Sequence, residues 1–292
     1  MIVSASRRTD IPAFYSKWFM NRVRRGWCDV PNPFNRAQVS TVSLAPRDVD
    51  AFVFWTRNPR PLMACLDELD GLGFRYLFLV TLVGYPRGID PRSPGPEASV
   101  SAFHDLAARI GPDRLTWRYD PIVLSGVTTP RFHEENFRRI ARALRGTTHR
   151  CIISFVNEYL KVKKRLGEAV PGGLGAADPG LPEVRGLLSA VSAAAREEGM
   201  QVFCCAGEHD LSPFGILPSK CIDGELIGNL FSIPLKAPKD PAQRAACGCS
   251  ASKDIGMYDT CLYGCAYCYA TSSIERARAN HLAHDPESPS LV

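Results

Sequence analysis

Short apolar runs alternate along the chain with longer stretches in which apolar residues recur every three or four positions. The runs are MIVSAS (1–6), DAFVFWT (50–56), YLFLVTL (76–82), LTWRYD (115–120), CIISFV (151–156), MQVFCCA (200–206) and DIGMYDT (254–260). All but the last are mostly apolar, the pattern of strands covered on both faces. Between them FYSKWFMNRVRRG, MACLDELDGLG, SVSAFHDLAARIG, HEENFRRIARALRG and VRGLLSAVSAAAREEG read as amphipathic helices, each ending at a glycine. Further helices are expected over 157–168 and at SSIERARANHL (272–282). Regular alternation of β and α predicts a parallel sheet with right-handed crossovers. About seven such strands with helices outside predict an α/β, TIM-barrel-like partial barrel, open or closed, with its site at the C-terminal ends of the strands. No Pro/Ser-rich linker divides the chain, and VPGGLGAADPGLP (170–182) reads as a loop. Residues 1–283 are therefore expected as one domain and HDPESPSLV (284–292) as a disordered tail.

After almost every run comes a polar or ligand-capable group. Arg7, Arg8, Thr9 and Asp10 follow the first, then Arg57 and Asn58, Tyr85, Arg118 and Asp120, Asn157 and Glu158, and Glu208, His209 and Asp210. Cys261 follows the last. Helix caps and strand-end braces use the same residue types. Arg118 and Asp120 of TWRYDP are expected to pair, and Arg7 or Arg8 to meet an anion. Arg118, Asp120 and Arg7 are the candidate catalytic residues. Among the six histidines, His104, His133 and His149 are expected in solvent, and His281 and His284 in or near the tail. His209, at a strand end, is read first as a hydrogen-bonding residue and second as a catalytic one.

Composition changes this picture little. The chain has 292 residues, 45% of them hydrophobic and 22% charged, which is ordinary globular usage. A net charge of +5 permits an anionic substrate without demanding nucleic acid. The arginines of NRVRRGW read as a solvated helix face. No apolar run is long enough to span a bilayer, and MIVSASRRTDIP lacks the layout of a signal peptide, so a cytoplasmic protein is expected.

Cysteine usage changes it more. There are eleven, and eight lie between 204 and 268. Disulfides are disfavoured in a reducing compartment, so metal or redox chemistry gains weight. Cys28, Cys65 and Cys151 are scattered and read as buried small hydrophobes. CLYGCAYCYA (261–270) places Cys261, Cys265 and Cys268 in a C-x3-C-x2-C spacing after a strand and before a helix. Thiolates suit zinc and iron–sulfur clusters. Zinc wants four protein ligands, whereas three cysteines leave one iron of a cubane open.

The segment resembles the C-x3-C-x-aromatic-C signature of the radical S-adenosylmethionine (radical SAM) superfamily, and TCLYGCAYCYA is most similar to its spore photoproduct lyase branch. Nearly the whole chain also resembles an uncharacterised bacterial domain-of-unknown-function family, through SASRRTDIP, FWTRNP, WRYDP, CID and a C-terminal CGC…KDIG…DTC…GC.YCYA. The superfamily resemblance implies a [4Fe–4S] cluster on Cys261, Cys265 and Cys268, with S-adenosylmethionine on the open iron. It implies a reducing partner such as a flavodoxin or ferredoxin, and a 5′-deoxyadenosyl radical that abstracts hydrogen from a small-molecule or nucleic-acid substrate. In that superfamily the motif follows the first strand of a partial barrel; here it follows the last. A circular permutation is implied, in which 254–260 is an interior strand paired in parallel with 1–6. The three sulfurs should then converge within roughly 7 Å. Ser4, Ser6 and Arg8 become candidates near S-adenosylmethionine, in place of the family's absent glycine-and-acid motif, and Tyr267 a candidate beside the adenine.

Five more cysteines remain. Cys204 and Cys205 point to opposite faces of a strand, so only one can enter a given site. Cys205, Cys221, Cys247 and Cys249 form a candidate second centre, iron–sulfur or zinc, with free core thiols as the alternative. Two other functions stay open: a non-catalytic iron–sulfur or zinc protein acting as redox sensor or electron carrier, and a nucleic-acid repair factor with a structural cluster.

Overall fold

Residues that tolerate burial on both sides build the centre of the molecule. The computed structural model describes residues 1–170, 172–207 and 209–292. In chain order, β1 (Ile2–Ala5) leads through α1 (Ile11–Phe14) and α2 (Ser16–Arg25) to a hairpin, β2 (Trp27–Pro31) and β3 (Val39–Ser43). Then come β4 (Ala51–Thr56), α3 (Arg60–Met63), α4 (Leu66–Gly71), β5 (Tyr76–Thr81), α5 (Pro96–Ile110), β6 (Leu115–Ile122), α6 (Pro130–Ala143) and β7 (Arg150–Phe155). The chain continues through α7 (Leu160–Ala169), α8 (Pro182–Glu197), β8 (Gln201–Cys205), β9 (Leu217–Ser219), α9 (Gly224–Phe231), β10 (Lys253–Asp254) and α10 (Ile274–Leu282).

Eight strands form one sheet in the order β10-β1-β4-β5-β6-β7-β8-β9. All its pairs are parallel. Among the described residues no pairing joins β9 to β10, so the sheet is an open α/β sheet and not a closed barrel. The last strand also differs from expectation. Only Lys253 and Asp254 pair with β1, opposite Val3 and Ser4, and they do so at the sheet's edge. Ile255 N still donates to Ser4 O at 3.1 Å, and residues 256–260 leave the sheet. Gly256 lies so close to β1's end that an added Cβ would stand 2.0 Å from Ser6 Oγ, and Asp259 turns the chain with φ 57°.

Period-two alternation divides the core. Phe52 and Phe54 of β4 face the helices and join Phe78, Trp117, Tyr119 and Phe137. Each such ring, fully buried, contributes about 1.5–3 kcal/mol. Ala51, Val53 and Trp55 face the other way, with Ile2, Leu77, Leu79 and Ile152. That second face is covered by α9 and its flanking segments, through Ile222, Ile227, Cys221, Cys247 and Cys249.

Two further expectations are corrected. Residues 284–292 are not a loose tail. Trp18 Nε1 and Arg22 Nη2 on α2 donate to the carbonyls of Ser288 and Glu287 at 3.0 Å each, Pro289 O accepts from Asp29 N at 2.9 Å, and Leu291 is buried. Backbone carbonyls and one apolar residue hold this segment, so its polar composition misleads. His133 is not in solvent but fully buried, because it lies on the inner face of α6. Its Nε2 meets Val123 O at 3.0 Å and must donate, leaving Nδ1 to accept from the Tyr119 hydroxyl at 2.9 Å. Burial pulls this imidazole's pKa down to about 4.

Candidate metal centres

The C-terminal ends of β10 and β1 are tied by one carboxylate. Asp254 accepts from Ser4 Oγ at 2.9 Å, Ser6 Oγ at 2.7 Å, Arg7 N at 2.8 Å and Gly256 N at 3.0 Å. Ser4 also accepts from Trp55 Nε1 at 3.1 Å, and Ser6 from Arg8 N at 2.9 Å. Both hydroxyls are buried, each donating one hydrogen bond and accepting one. Ser4 and Ser6, expected near S-adenosylmethionine, are here parts of a clasp. Arg8 donates to Gly256 O at 3.2 Å and stacks over Tyr258. It lines a surface groove of about 440 Å³ together with Arg36 and Arg276.

From this clasp the loop 255–270 crosses the ends of β1, β4 and β5. Tyr15 holds Thr260 O at 2.7 Å, and Ile89 O accepts from Ala266 N at 2.9 Å. Asp90 fixes the centre of the loop, accepting from the Cys265 thiol at 3.1 Å and the Tyr267 hydroxyl at 3.1 Å. Arg57 pairs with Asp90 at 2.6 Å and also hydrogen-bonds the Tyr267 hydroxyl. Burial works against the Asp90 carboxylate, but Arg57 and hydrogen bonds from Ser93, Cys265 and Tyr267 outweigh it and hold the pKa below the usual range. Tyr267, the expected adenine neighbour, is thus locked between Arg57 and Asp90. Arg165 donates to Thr271 O at 2.8 Å and to Cys268 O, pinning the far end of the loop.

The three motif thiols are close enough to feel one another's charge. Burial, with Cys268 and Asp10 nearby, pushes the Cys261 thiol up to about 12. Burial likewise raises Cys265, against the pull of Arg57. Their spacing is looser than that of a second set. Among the described residues, Cys205, Cys221 and Cys249 are the one group of His, Cys, Asp or Glu side chains with three ligand atoms all within 4.8 Å of one another.

This second set has four members. The sulfurs of Cys205 and Cys221 are 3.0 Å apart, and Cys247 lies near enough to Cys205 and Cys249 to perturb both thiols. Hydrogen bonds from Cys205, Cys221 and Cys247 push the Cys249 thiol down. Those shared bonds push Cys205 and Cys247 up. Cys221 rises to about 12, since its bond to Cys249 and burial outweigh the lowering by Cys205. Cys204, next door on β8, packs on the helix side, as the alternation requires.

Between the two sets lies a charged strip. Arg118 and Asp120 form an ion pair, as expected, and Ser154 hydrogen-bonds Asp120. The guanidinium groups of Arg118 and Arg7 sit over the Trp55 ring at 4.6 and 5.8 Å. Burial opposes the Arg7 charge, but Cys249, Asp254 and Cys221 outweigh it and raise its pKa. Tyr269, whose hydroxyl donates to Arg7 O at 3.0 Å, lies by Cys268 and Asp254.

A family model described as Domain of unknown function (DUF1848) matches residues 2–270. The chain belongs to the DUF1848 family. No curated protein matches it. In this DUF1848 chain, no helix among the described residues is long and apolar enough to cross a membrane.

Other expected site residues have structural partners. Tyr85 donates to Pro121 O at 2.7 Å, and Asn157 accepts from Arg244. His209 and Asp210 are exposed, and Glu208 lies outside the described residues. Sequence reasoning missed Asp254, Asp90, Trp55 and Tyr269. The first was hidden inside an assumed strand. Asp90 had no strand end of its own to mark it, although the GID before Pro91 is a turn signal.

Proposed function

We propose that this DUF1848 chain is an iron–sulfur enzyme of the radical SAM type, with Cys261, Cys265 and Cys268 holding a [4Fe–4S] cluster. The observation that carries the reading is the C-x3-C-x2-C loop itself, folded over the C-terminal end of the sheet beside β1, with three neighbouring thiols that are not all within 4.8 Å of one another. Three thiols so spaced, with no fourth cysteine in the loop, fit a cubane better than a single tetrahedral ion. With S-adenosylmethionine bound, such a cluster supplies reductive cleavage of the sulfonium and a hydrogen-abstracting radical.

The chain's residues supply the setting. Arg57, Asp90 and Tyr267 hold the loop rigid, and Tyr15 and Arg165 fix its two ends. Cys265 is buried, while Cys261 and Cys268 are half-buried and reachable from the open side. Arg118 and Asp120 would face the substrate, and Arg7 shares the Trp55 ring with Arg118. The sequential order of parallel strands, with β10 at the edge next to β1, suits an open barrel whose usual first unit has moved to the end of the chain. A flavodoxin or ferredoxin would deliver the electron, and the substrate is a small molecule or a nucleic acid. A second reading, a metal protein without radical chemistry, is favoured by the four-thiol set.

Anaerobic reconstitution separates the two. The first reading expects an EPR signal on reduction that S-adenosylmethionine perturbs, and release of 5′-deoxyadenosine. Replacing Cys261, Cys265 and Cys268 by Ala together should abolish both. A signal unchanged in that triple variant, or no cleavage by a fully loaded wild type, sinks the enzyme reading.

A further inference from the structure

We propose that Cys205, Cys221, Cys247 and Cys249 form a closed tetrathiolate site for one zinc ion, with Arg7 as its buried counter-charge. The inference does not rest on the radical reading. Geometry decides between a single ion and a cluster. A tetrahedron with metal–sulfur bonds of about 2.3 Å has sulfurs about 3.8 Å apart. Cys205 and Cys221 lie 3.0 Å apart and Cys249 within 4.8 Å of both, a range that includes that value; Cys247 stands outside this trio and would close in as the fourth ligand. An iron–sulfur cubane holds its thiolates much farther apart, near the roughly 7 Å expected of the other set. A closed set of four soft ligands is the pattern of a structural zinc site.

The second observation is electrostatic. One zinc with four thiolates carries two negative charges, and a buried dianion needs a cation beside it. Arg7 lies within electrostatic reach of Cys249 and Cys221, and its Nη2 is buried without a hydrogen-bond partner among the described residues. The thiolates supply the acceptors that atom lacks. Further support comes from the ligand frame: Ile222 N donates to Cys249 Sγ at 3.5 Å, and Ser250 N donates to Ile222 O at 2.9 Å. These bonds cross-link the turn at 247–249 to the segment before α9.

The site has a clear task. The stretch from 232 to 252 contains no strand or helix, yet together with α9 it covers the second face of the sheet. Zinc bound to β8, to the start of α9 and to that stretch fastens the cover and sets Arg7 over Trp55.

The test uses full-length Cys261/Cys265/Cys268→Ala protein, so that failure of the radical reading cannot interfere. Metal analysis should give one zinc per chain, and zinc-edge X-ray absorption a single shell of about four sulfurs near 2.3 Å with no metal neighbour. Iron in place of zinc, a metal–metal distance, or folded protein with no metal would each overturn the proposal. Arg7→Gln should weaken zinc retention against a chelator about tenfold, with Arg7→Lys restoring most of it. Equal retention in all three proteins would remove Arg7 from the site.

Discussion

Cys261, Cys265 and Cys268 come from eight consecutive residues, whereas Cys205, Cys221, Cys247 and Cys249 are gathered from three segments between 205 and 249. The first set brings its own loop and needs the fold only to hold that loop still. The second set exists only once β8, the approach to α9 and the turn at 247–249 have met. A local motif can be left out and the sheet still stands. A dispersed one is part of what makes the sheet's second face solid. The two sets also differ in spacing, and that difference separates an open cluster from a closed ion.

Metal removal should break this comparison most visibly. Stripping the ion from the four-thiol set, by chelation or by Cys249→Ser, should cost on the order of 5 kcal/mol and lower Tm by about 10 °C or more. The triple Ala variant of the motif should stay within about 3 °C of wild type. Equal losses in calorimetry would mean that the two sets are not structurally distinct.

Loosening the loop without touching a thiol is the next step down. Asp90→Asn leaves Arg57 buried beside a neutral partner, since their side chains are only 3% and 11% exposed. Breaking such a pair costs about 3–5 kcal/mol. Urea unfolding should register that loss while zinc content stays at one per chain. A loss of zinc here would show that the loop and the four-thiol set fold as one unit.

The smallest effect compares two neighbours on one strand. Cys204→Ala should cost about 1 kcal/mol of packing and keep the metal. Cys205→Ala should lose the metal. Matching metal contents in these two variants would contradict the assignment of faces on β8.

That last contrast was legible in the sequence, because a strand's period of two admits only one answer for adjacent residues. The central strands were legible too: runs such as AFVFWT are buried along their whole length. Helices ending at Gly26, Gly111, Gly146 and Gly199 were found near their glycines, all of which take positive φ. The hairpin β2–β3 was missed because its half-exposed polar residues carry no continuous apolar signal, and α9 because GELIGNLF is short and holds two glycines. Polar pairings divided by distance along the chain. Arg118 and Asp120, two residues apart on one strand, could be paired by inspection. Asp90 with Cys265, and Asp254 with Ser4 and Ser6, join residues 175 to 250 positions apart, and no local pattern announces them.

The Asp254 clasp sets an order of events during synthesis. β1 is made first, but its neighbour β10 is made some 250 residues later. Until then β1 is an open parallel edge, with the Ser4 and Ser6 hydroxyls and the Arg7 amide lacking their shared acceptor. An exposed strand edge invites pairing with other chains. The growing chain must therefore carry that edge while the residues between β1 and β10 are made, and the motif loop can be seated only after the edge has been covered.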